Sequence, residues 1–332
     1  MNKAEKRELV TRNLSEVLVE GELDLLLGKK TPVVYCGYET SGPVHLGHWI
    51  SIRKLLDFQK AGFKVKILLA DYHASLNLKG EISWIREVAK YWKATFLACG
   101  LDKKKTEFVL GSSFQEKSEY FVDLFRLSDS ITVSRSIRAM REIARDIEHA
   151  HLSQVMYAPM QVLDFKFLGV DAALGGMEQR KIHVLAREYL EKFNWKKPVC
   201  FHHPLMVSLQ GSKCKMSSSK PETMVFLHDS EENIRKRLGK AFCPKEREGN
   251  PIYQIAKFHV FPGLGKLEIK RPEKFGGDLV FENWEEFDSK FETIHPQDLK
   301  NGVTEAVIQM LKPVRSFFKK NPKFLKPLEK KT

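Results

Sequence analysis

Between Val33 and Leu110 the chain alternates short continuous apolar runs with longer segments of helical periodicity, an order that few folds accept. Val33–Cys36, Val65–Ala70 and Phe108–Leu110 read as strands. Leu46–Ala61, closed by Gly62, and Ile82–Cys99, stopped by Gly100, repeat apolar residues at helical spacing. Strand-helix-strand-helix-strand at this spacing is half of a doubly wound parallel sheet. From Phe114 to about Ala150 the text turns to polar, charged helices, which reads as an insertion. The pattern then resumes with helix Leu152–Leu168, strand Ala172–Leu174, helix Glu178–Phe193 and strand Val199–His202, predicting the second half-sheet. A ligand of such a sheet lies at the carboxyl ends of the strands, where strand order reverses. An opening helix is expected over Ala4–Leu27, ended by Gly28 and Pro32. After Met224 the chain reads mostly helical, with a helix start near Ser230, a long polar connection Gly263–Glu285 and a last helix Leu299–Phe318.

The 332 residues suffice for two domains. No apolar run approaches the ~18–20 residues that span a membrane, and Met1–Leu9 is charged, without the apolar core of a secretory signal. Cys36, Cys99, Cys200, Cys214 and Cys243 are scattered with no Cys-x-x-Cys, which favours reduced thiols in a cytosolic protein over a zinc site or a disulfide framework. Cys36 reads as a small buried hydrophobe. A net charge of +13 favours a polyanionic partner such as nucleic acid. In residues 312–332 eight lysines and arginines face only Glu329, with Phe317, Phe318 and Phe324 among them. That tail reads equally as a contact to RNA backbone and as a frayed terminus.

Two segments suggest chemistry. His45-Leu46-Gly47-His48 follows the first strand and the turn-rich Thr40-Ser41-Gly42-Pro43, so it opens a helix. A helix start with unpaired N–H groups attracts anions, Gly47 permits close approach, and the histidines offer donors to phosphate oxygens. Lys215-Met216-Ser217-Ser218-Ser219-Lys220 is a cationic, hydroxyl-rich loop suited to a departing pyrophosphate. In addition, Tyr157, Gln161 and Asp164 are spaced four and three apart, so they project from one helix face. Asp164 lies between apolar Val162-Leu163 and Phe165, which argues for burial.

The two segments resemble the His-Ile-Gly-His and Lys-Met-Ser-Lys-Ser signatures of class I aminoacyl-tRNA synthetases. Four further strings narrow the resemblance: Tyr35-Cys36-Gly37-Tyr38-Glu39, Leu68-Leu69-Ala70-Asp71-Tyr72-His73-Ala74, Gly175-Gly176-Met177-Glu178-Gln179-Arg180-Lys181-Ile182-His183 and Arg271-Pro272-Glu273-Lys274-Phe275-Gly276-Gly277-Asp278. In order, over about Thr11 to Phe318, they look like the tyrosyl-tRNA synthetases of archaea and eukaryotes. A serine of the run Ser217-Ser218-Ser219 stands where a second lysine is common, and Pro221 where glycine is usual.

The resemblance implies an α/β fold: the class I synthetase Rossmann-like doubly wound parallel sheet with a connecting insertion, plus a smaller α-helical C-terminal domain. Residues 1–225 would be catalytic, with about 112–150 the insertion and dimer interface, and 226–332 an anticodon-binding domain. It implies tyrosine–tRNA ligase activity in a cytoplasmic homodimer, with tRNA(Tyr), tyrosine and ATP as partners. ATP would come with Mg2+ as a substrate complex, without a tightly bound metal. His45, His48, Lys215, Ser217 and Ser218 would serve the phosphates, and Gly47, Gly176, Glu178 and Met216 the rest of ATP. Tyr35 and Asp164 would bond the substrate hydroxyl. Tyr157, Gln161 and Gln179 would hold the ammonium, and His73 would line the pocket. Arg138, Arg180 and Lys181 would meet the first acceptor base pair, and Phe275, His295 and Asp298 the anticodon. A carboxylate left without its partner is costly, so no editing domain is expected. The alternatives are the sister tryptophanyl enzyme, another His-x-Gly-His nucleotidyltransferase, and a non-catalytic RNA-binding paralogue.

Overall fold

The computed structural model describes residues 1–144, 148–215 and 223–329, with side chains throughout except at 212–215. The chain divides into two compact units, Met1–Ser41 with Lys54–Pro204 and Pro327–Thr332, and Gly42–Arg53 with Leu205–Lys326. The division after Pro204 precedes the boundary at 225/226 read from the sequence, and residues 42–53 group with the later part of the chain.

The first unit is built on a six-stranded sheet. Its strands are β1 (Glu16–Leu18), β2 (Val33–Tyr38), β3 (Lys64–Leu69), β4 (Thr106–Leu110), β5 (Ala172–Gly176) and β6 (Val199–His203), in the order β1-β6-β5-β2-β3-β4. β2 to β6 are mutually parallel where they pair, and β1 joins β6 antiparallel. Chain order therefore reverses at the β2–β5 seam, where Tyr35 lies beside Ala173. β5 and β6 are buried along their whole length, as expected of inner strands covered on both faces. The helix Ile82–Ala98 turns Ile85, Val88, Ala89, Trp92 and Phe96 inward at three- and four-residue spacing.

The opening segment departs from the expected single helix. Helix Lys3–Thr11 is followed by β1, a short 3-10 turn and helix Leu23–Gly28, with Asn13 at positive φ breaking the first helix. Residues 16–18 instead find backbone partners on β6, and Glu16 lies directly opposite His202.

The insertion carries helices Ser112–Gln115, Ser118–Ser128 and Val133–Met140. The next helix, Leu152–Leu168, contains Pro159, which has no N–H for the carbonyl of Val155 four residues back. The hydroxyl of Ser136 donates to that carbonyl, so the insertion repairs the defect.

In the second unit β7 (Val207–Ser208) and β8 (Gly211–Lys215) form a hairpin. The remainder is mostly helical and includes the long helix Pro296–Lys320. The polar connection over 263–285 is not loop throughout: β9 (Leu267–Ile269) pairs antiparallel with β10 (Leu279–Phe281). Tyr253, Phe261, Trp284, Phe287 and Phe291 form an aromatic core there with mostly edge-on contacts. Among the described residues no helix is long and apolar enough to cross a membrane.

Candidate active site

Elements from the carboxyl ends of four parallel strands, and one helix face, converge in the first unit. β2 carries Tyr35. The helix Asp71–Leu76 after β3 carries His73, the short helix Ser112–Gln115 after β4 carries Gln115, and the 3-10 turn after β5 carries Glu178 and Gln179. Helix Leu152–Leu168 presents Tyr157, Gln161 and Asp164, all buried, as their spacing predicts. Gly37, exposed although it sits in a central strand, leaves room for the Tyr35 hydroxyl; a Cβ there would come within 2.3 Å of it.

Asp164 is the centre of this cluster and is 0% exposed. Its Oδ1 accepts from Gln115 Nε2 at 2.9 Å and from the Tyr120 hydroxyl at 3.0 Å. The Tyr120 hydroxyl is also 2.9 Å from the Met160 carbonyl, so its one hydrogen serves two acceptors. Asp164 Oδ2 has no hydrogen-bond partner and lies 3.5 Å from His73 Nε2. Burial pushes the Asp164 carboxyl up to about 7, opposed by the bonds from Gln115 and Tyr120. Burial also lowers His73 to about 4, so its ring is neutral. Tyr35, Tyr120 and Tyr157 are all held in the phenol form, by burial first and then by neighbouring carboxylates.

Gln161 donates to Gln179 Oε1 at 3.1 Å, and its own Oε1 has no partner. His73 Nε2 and Gln115 Oε1 are likewise unpartnered. Four buried polar atoms without partners, on side chains linked to Asp164 or one helical turn from it, are an unusual concentration. Each would cost about 1–3 kcal/mol if left permanently unmet, so the cluster is shaped for a polar ligand.

The structure thus brings together Tyr35, His73, Tyr157, Gln161, Asp164 and Gln179. It adds Gln115, Tyr120 and Glu39, which the sequence did not single out. Glu39 bonds the Tyr157 side chain and accepts from Asn77 Nδ2 at 2.9 Å. Its signal was present, since it closes the string that begins at Tyr35. Gln115 and Tyr120 lie where the text reads as surface insertion and carry no such signal. Gly176 touches Glu178: a Cβ at 176 would fall 2.2 Å from Glu178 Oε2, an atom that is itself buried and unpartnered. Burial pushes the Cys36 thiol up to about 12, which suits an inert small hydrophobe.

In the second unit His45 pairs in a β-bridge with Phe226, and helix Leu46–Lys60 begins at the next residue. The expectation of unpaired amides at this helix start is not met. Leu46 N–H bonds the Val225 carbonyl, Gly47 N–H bonds His45 Nδ1, and the N–H groups of His48 and Trp49 bond the His45 carbonyl. His45 N–H bonds His48 Nδ1 at 3.3 Å. The motif caps itself, because an imidazole nitrogen two or three residues away reaches these amides. Both Nδ1 atoms accept, so each neutral ring carries its proton on Nε2. The rings lie 3.7 Å apart, and burial lowers His45 to about 3. Phosphate recognition would pass to the two Nε2–H groups. Trp49 stacks on buried His259, which holds the helix start from behind.

Lys215 ends β8, with its side chain not described; Met216, Ser217 and Ser218 lie outside the described residues. Arg138 is exposed, Lys181 pairs with Glu142 at 2.6 Å, and Arg180 makes a bidentate pair with Glu16. Phe275 is 60% exposed on a 3-10 turn. His295 caps the long helix through Nδ1, and Asp298 sits in its first turn.

Comparison with known proteins agrees with this geometry. Residues 28–312 match the family model of class I tRNA synthetases (W and Y). The tyrosine–tRNA ligase of Methanopyrus kandleri is 48% identical over 95% of this chain and 98% of its own. That of Methanosarcina barkeri is 44% identical over 94% and 98%. The tyrosyl-tRNA synthetase of Archaeoglobus fulgidus, crystallised with L-tyrosine, superposes with a TM-score of 0.91 at 43% identity, covering 95% of this chain and 99% of that one. With the parallel sheet, its seam-side cluster and a family match over most of its length, the chain belongs to the class I tRNA synthetases of the tryptophan and tyrosine branch.

Proposed function

We propose that the chain is a tyrosine–tRNA ligase, activating tyrosine with Mg-ATP and transferring it to the 3′ end of tRNA(Tyr). One observation carries the amino-acid assignment. A fully buried carboxyl is fixed through Oδ1 and has Oδ2 without a donor, beside Tyr35 and neutral His73. A phenol hydroxyl supplies that donor; a phenyl ring does not. Relatives 44% and 48% identical over nearly their whole length bear the same activity in their names, which favours tyrosine over tryptophan.

In the first step a carboxylate oxygen of tyrosine forms a bond to the α-phosphorus of ATP as the bond to the bridging oxygen breaks and pyrophosphate leaves. The amino acid's carboxylate is already ionised at neutral pH, so no general base is required. What the chain supplies is orientation and stabilisation of charge. Tyr157, Gln161 and Gln179, with Glu39, hold the ammonium end. Nε2–H of His45 and His48 meets phosphate oxygens, and Lys215, Ser217 and Ser218 follow the pyrophosphate. Gly176 and Glu178 serve the nucleoside, with Gly47 and Met216 beside ATP. In the second step a hydroxyl of the terminal adenosine attacks the acyl carbon and AMP departs. Arg138, Arg180 and Lys181 address the acceptor end, and Phe275, His295 and Asp298 the anticodon.

The active form is a cytoplasmic homodimer. Helix Ser118–Ser128 of the insertion exposes Phe121, Val122 and Phe125, the last 68% exposed, an apolar face suited to a second copy. Pyrophosphate exchange into ATP, measured with each of the twenty amino acids, tests the assignment. Dependence on tyrosine alone is expected; exchange with tryptophan, or with none, would refute it.

A further inference from the structure

The antiparallel edge strand β1 carries a carboxylate whose partners suggest a specific use. Glu16 stands directly opposite His202 of β6. In an antiparallel pair such residues project to the same face within contact distance. His202 Nδ1 lies 2.9 Å from Glu16 Oε2, and His202 Nε2 lies 2.9 Å from His183 Nδ1. The same carboxylate also takes Arg180: Nε to Oε1 at 3.0 Å and Oε2 at 2.8 Å, and Nη2 to Oε1 at 2.9 Å. Arg180 and His183 sit three apart at the start of helix Arg180–Lys192, so they share a face. The four side chains close a ring, Arg180–Glu16–His202–His183, that returns to the helix where it began.

The proton positions follow from the partners. Glu16 is a carboxylate, held below the usual range first by its bonds from Arg180. It can only accept, so His202 Nδ1 carries a hydrogen. Burial keeps His202 and His183 neutral, so His202 Nε2 is an acceptor and His183 Nδ1–H donates to it. Every link is thus polarised toward the carboxylate. A lone exposed ion pair orders a guanidinium weakly. Here the carboxylate is anchored from behind by His202, itself held by His183, rings 0% and 1% exposed, while Arg180 remains 43% exposed at the surface. Nη1 takes no part in the Glu16 pair.

We propose that Glu16, backed by the His202–His183 pair, is a positioning residue that fixes the Arg180 guanidinium for the acceptor end of tRNA. The inference rests on the reading of Arg180 as an acceptor-end contact. It gives β1 a task beyond closing the sheet edge.

The test uses the full-length protein with tRNA(Tyr) transcripts carrying either the native or a transposed first acceptor base pair. Glu16→Gln removes the charge and the bidentate match while leaving a side chain of the same size. Its kcat/KM for charging the native transcript should fall about five- to tenfold, within the range of couplings between residues in contact, with discrimination between transcripts reduced. Tyrosine-dependent pyrophosphate exchange should stay within about twofold of the wild type. Arg180→Lys keeps the charge but loses the fork, and should show the same two changes. Combining Glu16→Gln with Arg180→Ala should cost no more than Arg180→Ala alone. Normal charging by Glu16→Gln and Arg180→Lys, with Arg180→Ala impaired, would overturn the positioning role and leave the Arg180 reading standing. Normal charging by Arg180→Ala would overturn both. If Glu16→Gln also loses exchange, Arg180→Lys decides: wild-type charging by it reduces the ring to a fastening of β1.

Discussion

Asp164→Asn isolates the recognition of the phenol with little change of shape. The amide oxygen can replace Oδ1 and go on accepting from Gln115 and Tyr120, at 2.9 and 3.0 Å in the native protein. What changes is the second atom: Oδ2, an acceptor without a partner, becomes an NH2 that can only donate. A phenol O–H directed at it loses a hydrogen bond to a charged group, worth about 1.5–3 kcal/mol, or roughly 10- to 150-fold in kcat/KM for tyrosine. Phenylalanine brings no hydroxyl and should lose nothing, so the tyrosine-to-phenylalanine ratio should fall by the same factor. Exchange kinetics with both amino acids measure this directly. An unchanged ratio would mean that the hydroxyl is read elsewhere, Tyr35 being the first alternative. The same carboxyl gives a pH dependence. Burial disfavours its charge and pushes it up to about 7 from an ordinary value of 3.8. A folded-state value above the unfolded one means the folded protein holds the extra proton between these limits. This contribution to stability is therefore complete below 3.8 and lost as pH rises through about 7. A phenol donating to Oδ2 needs the carboxylate, so tyrosine affinity should increase with pH and level off above about 7, with a proton released on binding at pH 6. Calorimetry in buffers of different ionisation heat would detect that proton, and Asp164→Asn should abolish it.

Lys215→Ala should lower kcat for pyrophosphate exchange by about 100-fold while the KM for tyrosine hardly changes, since a lysine following pyrophosphate acts in the transition state; a raised KM at unchanged kcat would contradict that role. Phe275→Ala and Asp298→Ala should raise the KM for tRNA relative to exchange activity, Phe275 by the ~1–3 kcal/mol of one stacked base. Equal losses on transcripts with and without the native anticodon would show that these residues only hold their unit together. Phe125→Glu should place a charge on the exposed apolar face of helix Ser118–Ser128 and shift the protein to monomers in sedimentation; an unchanged mass would exclude that face as the dimer contact.

The helix that carries the pocket was legible because one segment satisfied two demands at once. Leu152–Leu168 has helical periodicity to both ends, and its one acidic residue, Asp164, set between apolar neighbours, is fully buried. The inner strands were legible because burial on both faces leaves a continuous apolar run. β1 was not, since Val17 and Leu18 fit the helical spacing of the preceding residues and only pairing with β6 makes them a strand. β9 and β10 escaped for a similar reason: three residues are too few to show alternation. Gln115 and Tyr120 could not be found from spacing, because what brings them to Asp164 is the return of the chain between β4 and helix Leu152–Leu168.

The self-capped motif of the second unit changes how its chemistry is understood. Had the first-turn amides been open, phosphate binding would rest on backbone N–H groups and on the helix dipole, which any sequence supplies. The amides of Leu46, Gly47, His48 and Trp49 are instead met internally. What the motif adds is therefore specific to its side chains. Each imidazole uses Nδ1 to hold an amide, and that bond fixes both the ring's tautomer and its orientation. His45, lowered to about 3 by burial, contributes a directed donor and no charge. On the proposed function, the charge that stabilises a departing pyrophosphate is left to lysines and to the Mg2+ that accompanies ATP, while the histidines orient the phosphate. A glutamine amide also offers a donor and an acceptor, but on a flexible stem and from one carbon, whereas the imidazole sets them on separate sides of one rigid ring, which is a physical reason for histidine at both positions.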